Sequence, residues 1–137
     1  MATGDVIVVG VDGSDGSRRA LRWAIDECQL RAATLLVVHA WQAPFSPSWG
    51  TLGQDTERYE EFAQRVLDDA VAEVPAEVPV DKLLVYGTAS SVVLEASADA
   101  TLVVVGSRGR GGFAGLLLGS VGQQVVQHAM CPVVIVH

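Results

Sequence analysis

Five short runs of apolar, largely β-branched residues mark the chain: "DVIVVGVD" from Asp5, "TLLVVHAW" from Thr34, "VDKLLVYG" from Val80, "TLVVVG" from Thr101 and "PVVIVH" from Pro132. Apart from the third, which carries Asp81 and Lys82, the runs are largely unbroken, and that suits strands covered on both faces, because a strand with one wet face alternates apolar and polar residues instead. Between them the apolar period lengthens to three or four residues. Leu21, Ala24, Ile25 and Cys28 recur that way between about 17 and 33, and Tyr59, Phe62, Ala63, Val66, Leu67, Ala70, Val71 and Val74 do so from Asp55. Two shorter helical stretches, "ASSVVLEASAD" and "SVGQQVVQHA", follow the third and fourth runs. Strands alternating with helices imply right-handed crossovers and a parallel sheet sandwiched between helices. The expected fold is therefore α/β, one doubly wound, Rossmann-like, five-stranded parallel sheet, and 137 residues fit a single domain spanning 1–137.

One connection is unusually long. Gln42 to Gln54 holds two prolines and two glycines and is read as a loop, and connections of that length are commonly functional. With 50% hydrophobic and 18% charged residues the chain buries enough apolar surface to offset its ordering entropy, which excludes general disorder. A net charge of −7 argues against a nucleic-acid partner, which needs a basic stripe. The charge is also unevenly spread: all 16 acidic residues lie at or before Asp99, and beyond it stand only Arg108 and Arg110. An anion is repelled least in that last quarter.

Cys28 and Cys131 belong to no metal or redox motif and read as buried thiols. No apolar run is long enough to span a membrane, and the start of the chain lacks a basic, then apolar leader, so no membrane partner and a cytoplasmic setting are expected.

In an open parallel sheet, ligands bind beyond the carboxyl ends of the strands, where the strand order reverses. That points to the ends of the first run (Gly10 to Ser14), the second (His39 to Trp41) and the fourth (Gly106 to Gly112). In the last of these, Gly106 and Gly109 allow positive φ and a close approach of backbone to ligand. Further on, Gly119-Ser120 opens a helix whose free amides and positive dipole end suit a phosphate, with the Ser120 hydroxyl free to cap the helix or donate to the ligand. Ser107, Arg108, Arg110 and Gly111 fill the loop between these devices without an acid among them. A phosphate loop of the Gly-Lys-Ser/Thr kind is excluded, since the lone lysine is Lys82.

The spacing Gly106-x2-Gly109-x9-Gly119-Ser120, together with "VVGVDGS" near the start and "AMCPVVIVH" at the end, resembles the nucleotide-binding branch of the universal stress proteins over essentially the whole chain. The resemblance implies an adenine nucleotide, ATP or else AMP or cyclic AMP, and a stress-response regulatory role. It implies that Gly10 and Val11 line the base pocket, that Asp12 lies at the ribose and metal end as a Mg²⁺ ligand, and that the Ala40 backbone meets adenine. Gly106 and Gly109 would then border ribose and phosphates, and Gly119, Ser120 and Val121 would hold phosphate oxygens. It also implies a homodimer through the last strand, Val133 to Val136, which as a sheet edge would present an unprotected pairing surface. Two positions depart from the pattern. Gly122 stands where triphosphate binders often carry Ser or Thr, and Ala89 stands where a proline is common, in what reads as a turn.

Other readings stay open for single residues. Asp12 also suits an Asx turn, and His39 suits a satisfied structural role. Hydrolysis needs a positioned water, a base and charge stabilisation, and no second acid occurs in the loops that end strands two and four. The expected activity is binding, with at most very slow ATP hydrolysis, and the alternative is a dimeric interaction module with a vestigial pocket.

Overall fold

The computed structural model describes residues 4–43, 52–108 and 118–137. Strands and helices alternate as β1 (Val6–Gly10), α1 (Asp15–Arg31), β2 (Thr34–Trp41), α2 (Leu52–Ala72), β3 (Val80–Tyr86), α3 (Ala89–Ala96), β4 (Leu102–Gly106), α4 (Ser120–His128) and β5 (Val133–Val136). The strands pair in parallel in the order β3-β2-β1-β4-β5. The fold is thus the α/β sandwich expected, and β5 does lie at an edge.

Successive side chains of a strand point to opposite faces, and the core divides accordingly. Ile7 and Val9 of β1, Leu35 and Val37 of β2, and Val104 of β4 pack with Ala20, Leu21, Ala24 and Cys28 of α1 and Leu67 of α2. Val8, Val38, Val103 and Val105 face the other way, onto Val92 and Val93 of α3 and Val125 of α4. Burial on both faces is the reason the central runs carry no polar residue. Each such Val or Ile removed from water contributes about 1.5–3 kcal/mol, and Ile7, Val8 and Val9 are all 0% exposed.

Two helices are capped by their own sequence. The Ser14 hydroxyl accepts from the Ser17 amide at the start of α1 (3.2 Å), and Thr88 Oγ1 accepts from the Ser91 amide at the start of α3 (3.3 Å). Each replaces a partner that the first turn of a helix lacks. At its other end α1 closes on Ala32, held in the left-handed region at φ 54°.

Two expectations are corrected. The helix expected from Asp55 begins at Leu52, three residues into the stretch read as a loop. Ala89 is the first residue of α3 with Thr88 as its cap, where the helical stretch was read to begin. Cys28 is buried, but Cys131 is only partly so.

Candidate functional site

From β1 the chain crosses towards β2 and β3, and from β4 it continues outward to β5, so the order reverses between β1 and β4. At the carboxyl ends of those two strands lies a cleft of about 240 Å³. Gly10, Val11, Asp12 and Ser17 line it from β1 and the turn into α1; Val38, His39 and Ala40 line it from β2. Ala89 and Val93 belong to α3, and Val105, Gly106, Ser107 and Arg108 to β4 and its continuation. Gly119, Ser120, Val121 and Gly122 close the circle from α4.

The β1 side is a hydrogen-bonded turn. Asp12 Oδ1 accepts from the Ser14 amide (2.9 Å) and the Ser14 hydroxyl (2.5 Å), while the Asp12 amide donates to Ser17 Oγ (3.2 Å), which itself donates to the Ser14 carbonyl (3.1 Å). This is the Asx arrangement left open for Asp12. Its carboxylate therefore has a local structural partner and still lines the cleft. His39 Nδ1–H donates to the Val11 carbonyl (2.7 Å), and the Val11 amide donates to the Val38 carbonyl (2.9 Å), so β1 and β2 remain tied past the last sheet pair. His39 has the structural partner expected of it, and it also forms part of the cleft wall.

Gly10 lets α3 pack closely at the floor: a Cβ there would stand 3.0 Å from Val93 Cγ2.

The β4 side departs from the reading of its glycines. Gly13 and Gly87 are the glycines with positive φ among the described residues, and Gly106 is not among them. Gly106 is small because α1 backs onto it: a Cβ at 106 would lie 2.9 Å from the Gly16 carbonyl oxygen, and a Cβ on Gly16 would run into the Arg108 carbonyl. Two glycines on separate elements thus let the first turn of α1 touch the chain leaving β4, backbone to backbone. Gly109, Arg110 and Gly111 lie outside the described residues.

The start of α4 is built unlike the other two. Its cap is Gly119, not Ser120, and no side chain closes it. The Gly119 amide donates to the Ser107 carbonyl (2.5 Å), and the Ser107 amide to the Val136 carbonyl (2.8 Å), which anchors the helix start to β4 and β5. The first α-helical bond runs from the Gln123 amide to the Gly119 carbonyl. Among the described residues, no acceptor meets the amides of Ser120, Val121 and Gly122, and all three residues line the cleft. Three donors without an acceptor among the described residues, at the positive end of a helix, suit an anion. Gly122 carries no hydroxyl, and the space a Cβ would take is filled by the Leu118 side chain, whose Cδ1 stands 2.5 Å away. Asp12 and Arg108 are the charged residues lining the cleft among those described.

His39 lies in the second-strand end that the sequence pointed to, whereas Ala89, Ser17 and Val93 were not foreseen as wall residues. Ala89 was visible as the start of a helix near the switch point, Ser17 lies in the first turn of α1 and Val93 in the second turn of α3. Among the described residues there is no cluster of three or more His, Cys, Asp or Glu able to hold a metal, and no helix is long and apolar enough to cross a membrane.

The profile of the universal stress protein family matches residues 5–137. The chain belongs to the universal stress protein family. Its similarity to a universal stress protein of Mycobacterium tuberculosis (strain H37Rv) is 39% identity over 132 residues, 94% of this chain but 44% of that protein. It therefore spans less than half the length of the curated relatives it matches. Among solved structures, a universal stress protein in complex with cAMP superposes with a TM-score of 0.73 at 28% identity, covering 99% of each chain. The universal stress protein of Archaeoglobus fulgidus in complex with dAMP superposes with a TM-score of 0.72 at 29% identity, covering all of both chains.

Proposed function

We propose that the chain is an adenine-nucleotide-binding, stress-response regulatory protein that holds its ligand in the cleft between β1 and β4. The observation that carries this reading is the open start of α4. Ser14 and Thr88 plug α1 and α3, whereas at α4 three residues whose amides have no acceptor among the described residues line a cleft at the switch point. In this reading the amides of Ser120 and Val121, with the Ser120 hydroxyl, grip phosphate, and the Gly119 amide, given to Ser107, does not. Gly106, Ser107 and Arg108 border the ribose and phosphates. Gly10, Val11 and Ala40 enclose the base. Gly109, Arg110 and Gly111 would complete the phosphate side.

ATP is one guest, with Mg²⁺ held by Asp12. Magnesium commonly takes one or two carboxylates together with phosphate oxygens, and one carboxylate is present. A specific observation favours AMP or cyclic AMP as the second reading: Leu118 covers Gly122 with hydrocarbon where a further phosphate would need a donor, and the two relatives above carry cAMP and dAMP. The protein would act as a single cytoplasmic domain paired through β5. That edge strand is half-buried, and Val126 and Met130 beside it are 52% and 83% exposed.

Calorimetric titration with ATP, AMP and cyclic AMP, with and without Mg²⁺, tests the site, and sedimentation tests the dimer. Folded protein that takes up none of the three at millimolar concentration refutes the nucleotide reading.

A further inference from the structure

The last helix and strand are the least anchored part of the described fold. β5 is the shortest strand: it pairs with β4 over four positions, from Val103↔Val133 to Gly106↔Val136, and none of its residues is fully buried. The other edge strand, β3, also lacks a fully buried residue, but it pairs with β2 over seven positions and Lys82 ties it to Asp68 of α2 (2.8 Å). α4 contributes one fully buried side chain, Val125, since its other buried residue is Gly122. Regions with so few buried contacts open before the rest of a fold, commonly as cooperative units.

α4 and β5 are also fastened to one another. The Ser107 carbonyl accepts from the Gly119 amide and the Ser107 amide donates to the Val136 carbonyl, so one residue clasps the start of the helix and the end of the strand. Beside Gly122, in the first turn of α4, stands Ile135 of β5, its Cδ1 3.7 Å from where a Cβ would lie. Only residues 129–132 join the helix to the strand. Separating β5 from β4 therefore takes Ile135 from beside Gly122 and breaks the clasp at Ser107, and the start of α4 loses its placement with them.

We propose that α4 and β5 open from β4 as one unit, carrying the anion seat with them, and that nucleotide held at the start of α4 keeps the unit closed. The second half rests on the nucleotide reading above; the first does not. A ligand that binds only the closed form lowers the open population by mass action, about 100-fold at 100 times its dissociation constant. Opening bares the backbone edge of β4, a row of unpaired groups that another strand can pair with. Occupancy of the cleft thus sets how often that edge is offered.

The test is the protection of single amides in the full chain, read by NMR in low denaturant at one protein concentration, with and without AMP. Four amides report on the unit. Gln123 and Ala129 are bonded to the carbonyls of Gly119 and Val125, and Val103 and Ser107 to those of Pro132 and Val136 at the two ends of β5. Without ligand the four should share one opening free energy, below that of Val8 and Val9 in β1, which is paired on both sides. With AMP at 100 times its dissociation constant all four should slow about 100-fold. Val103 decides, because it lies outside the cleft lining, at the far end of β5. Slowing at Gln123 without equal slowing at Val103 overturns the proposal, as do unequal ligand-free values among the four or one value shared with β1. If calorimetry on the same sample finds no uptake of AMP, the nucleotide reading and the lock fall together, and the ligand-free values still decide the unit.

Discussion

Replacing Ser120 with proline separates the two things the start of α4 does. Proline lacks an amide and holds φ near −65°, which makes it a favoured first residue of a helix, and it requires extended backbone in the residue before it. Ser120 is that first residue, and Gly119 before it is already extended at φ −76°, ψ 173°. The helix loses nothing by the change, because the Ser120 amide has no partner among the described residues. Stability should hold or rise by about 0.4–1 kcal/mol, the usual gain when proline fits the native backbone. A phosphate bound there loses one amide donor and one hydroxyl. A hydrogen bond to a charged group contributes about 1.5–3 kcal/mol, so the dissociation constant should rise at least 10-fold and about 100-fold at the upper value. Ser120→Ala, which keeps the amide, should lose less. The assays are thermal unfolding without ligand and calorimetric titration with AMP and ATP. A Ser120→Pro protein that melts at or above the parent temperature and binds within twofold of it would refute the claim that backbone amides of α4 hold the ligand.

Four further outcomes follow from the packing and the caps. Gly106→Ala should destabilise by about 1–3 kcal/mol in denaturant titration, the cost of overpacking, because its new Cβ meets a carbonyl oxygen of Gly16 at 2.9 Å and neither backbone can yield easily. Ser14→Ala should cost about 1 kcal/mol by the same measurement, the value of a lost helix cap; an unchanged midpoint would show that the Asp12 turn holds without it. Ala32→Gly should raise stability by a few tenths to 1 kcal/mol, since φ 54° strains a residue bearing a Cβ. Burial pushes the Cys28 thiol up from 9.0 to about 11, with the nearby Glu27 charge adding to it. Its folded state thus holds a proton that the unfolded chain releases near pH 9, so its contribution to stability is intact below that pH and is lost between about 9 and 11. Thiol labelling at pH 8 should accordingly reach the partly exposed Cys131 first and Cys28 only as fast as the chain unfolds.

How much of this was legible beforehand depended on whether the cause was local. Runs such as Val6–Gly10 and Leu102–Gly106 declare strands buried on both faces because burial leaves no room for polar alternation, and the helix periods between them then dictate a parallel sheet. The switch point follows from topology, which is why Gly10, Asp12, Ala40, Gly106 and Ser120 could be placed around one crevice before any coordinates. What escaped notice has distant causes. Gly106 owes its missing side chain to Gly16, 90 positions away, and no local pattern distinguishes that demand from a need for positive φ. Ala89 and Val93 enter the wall because α3 converges there with β2, a fact of three dimensions. The start of α2 at Leu52 was hidden by Gly53, which breaks the local helical signal without preventing a helix.

The uncapped start of α4 has a dynamic corollary. Among the described residues no acceptor meets the amides of Ser120, Val121 and Gly122, so with nothing bound their hydrogens are expected to exchange with solvent far faster than that of Gln123, which is bonded to the Gly119 carbonyl. Isotope uptake should therefore step sharply within a single turn of helix.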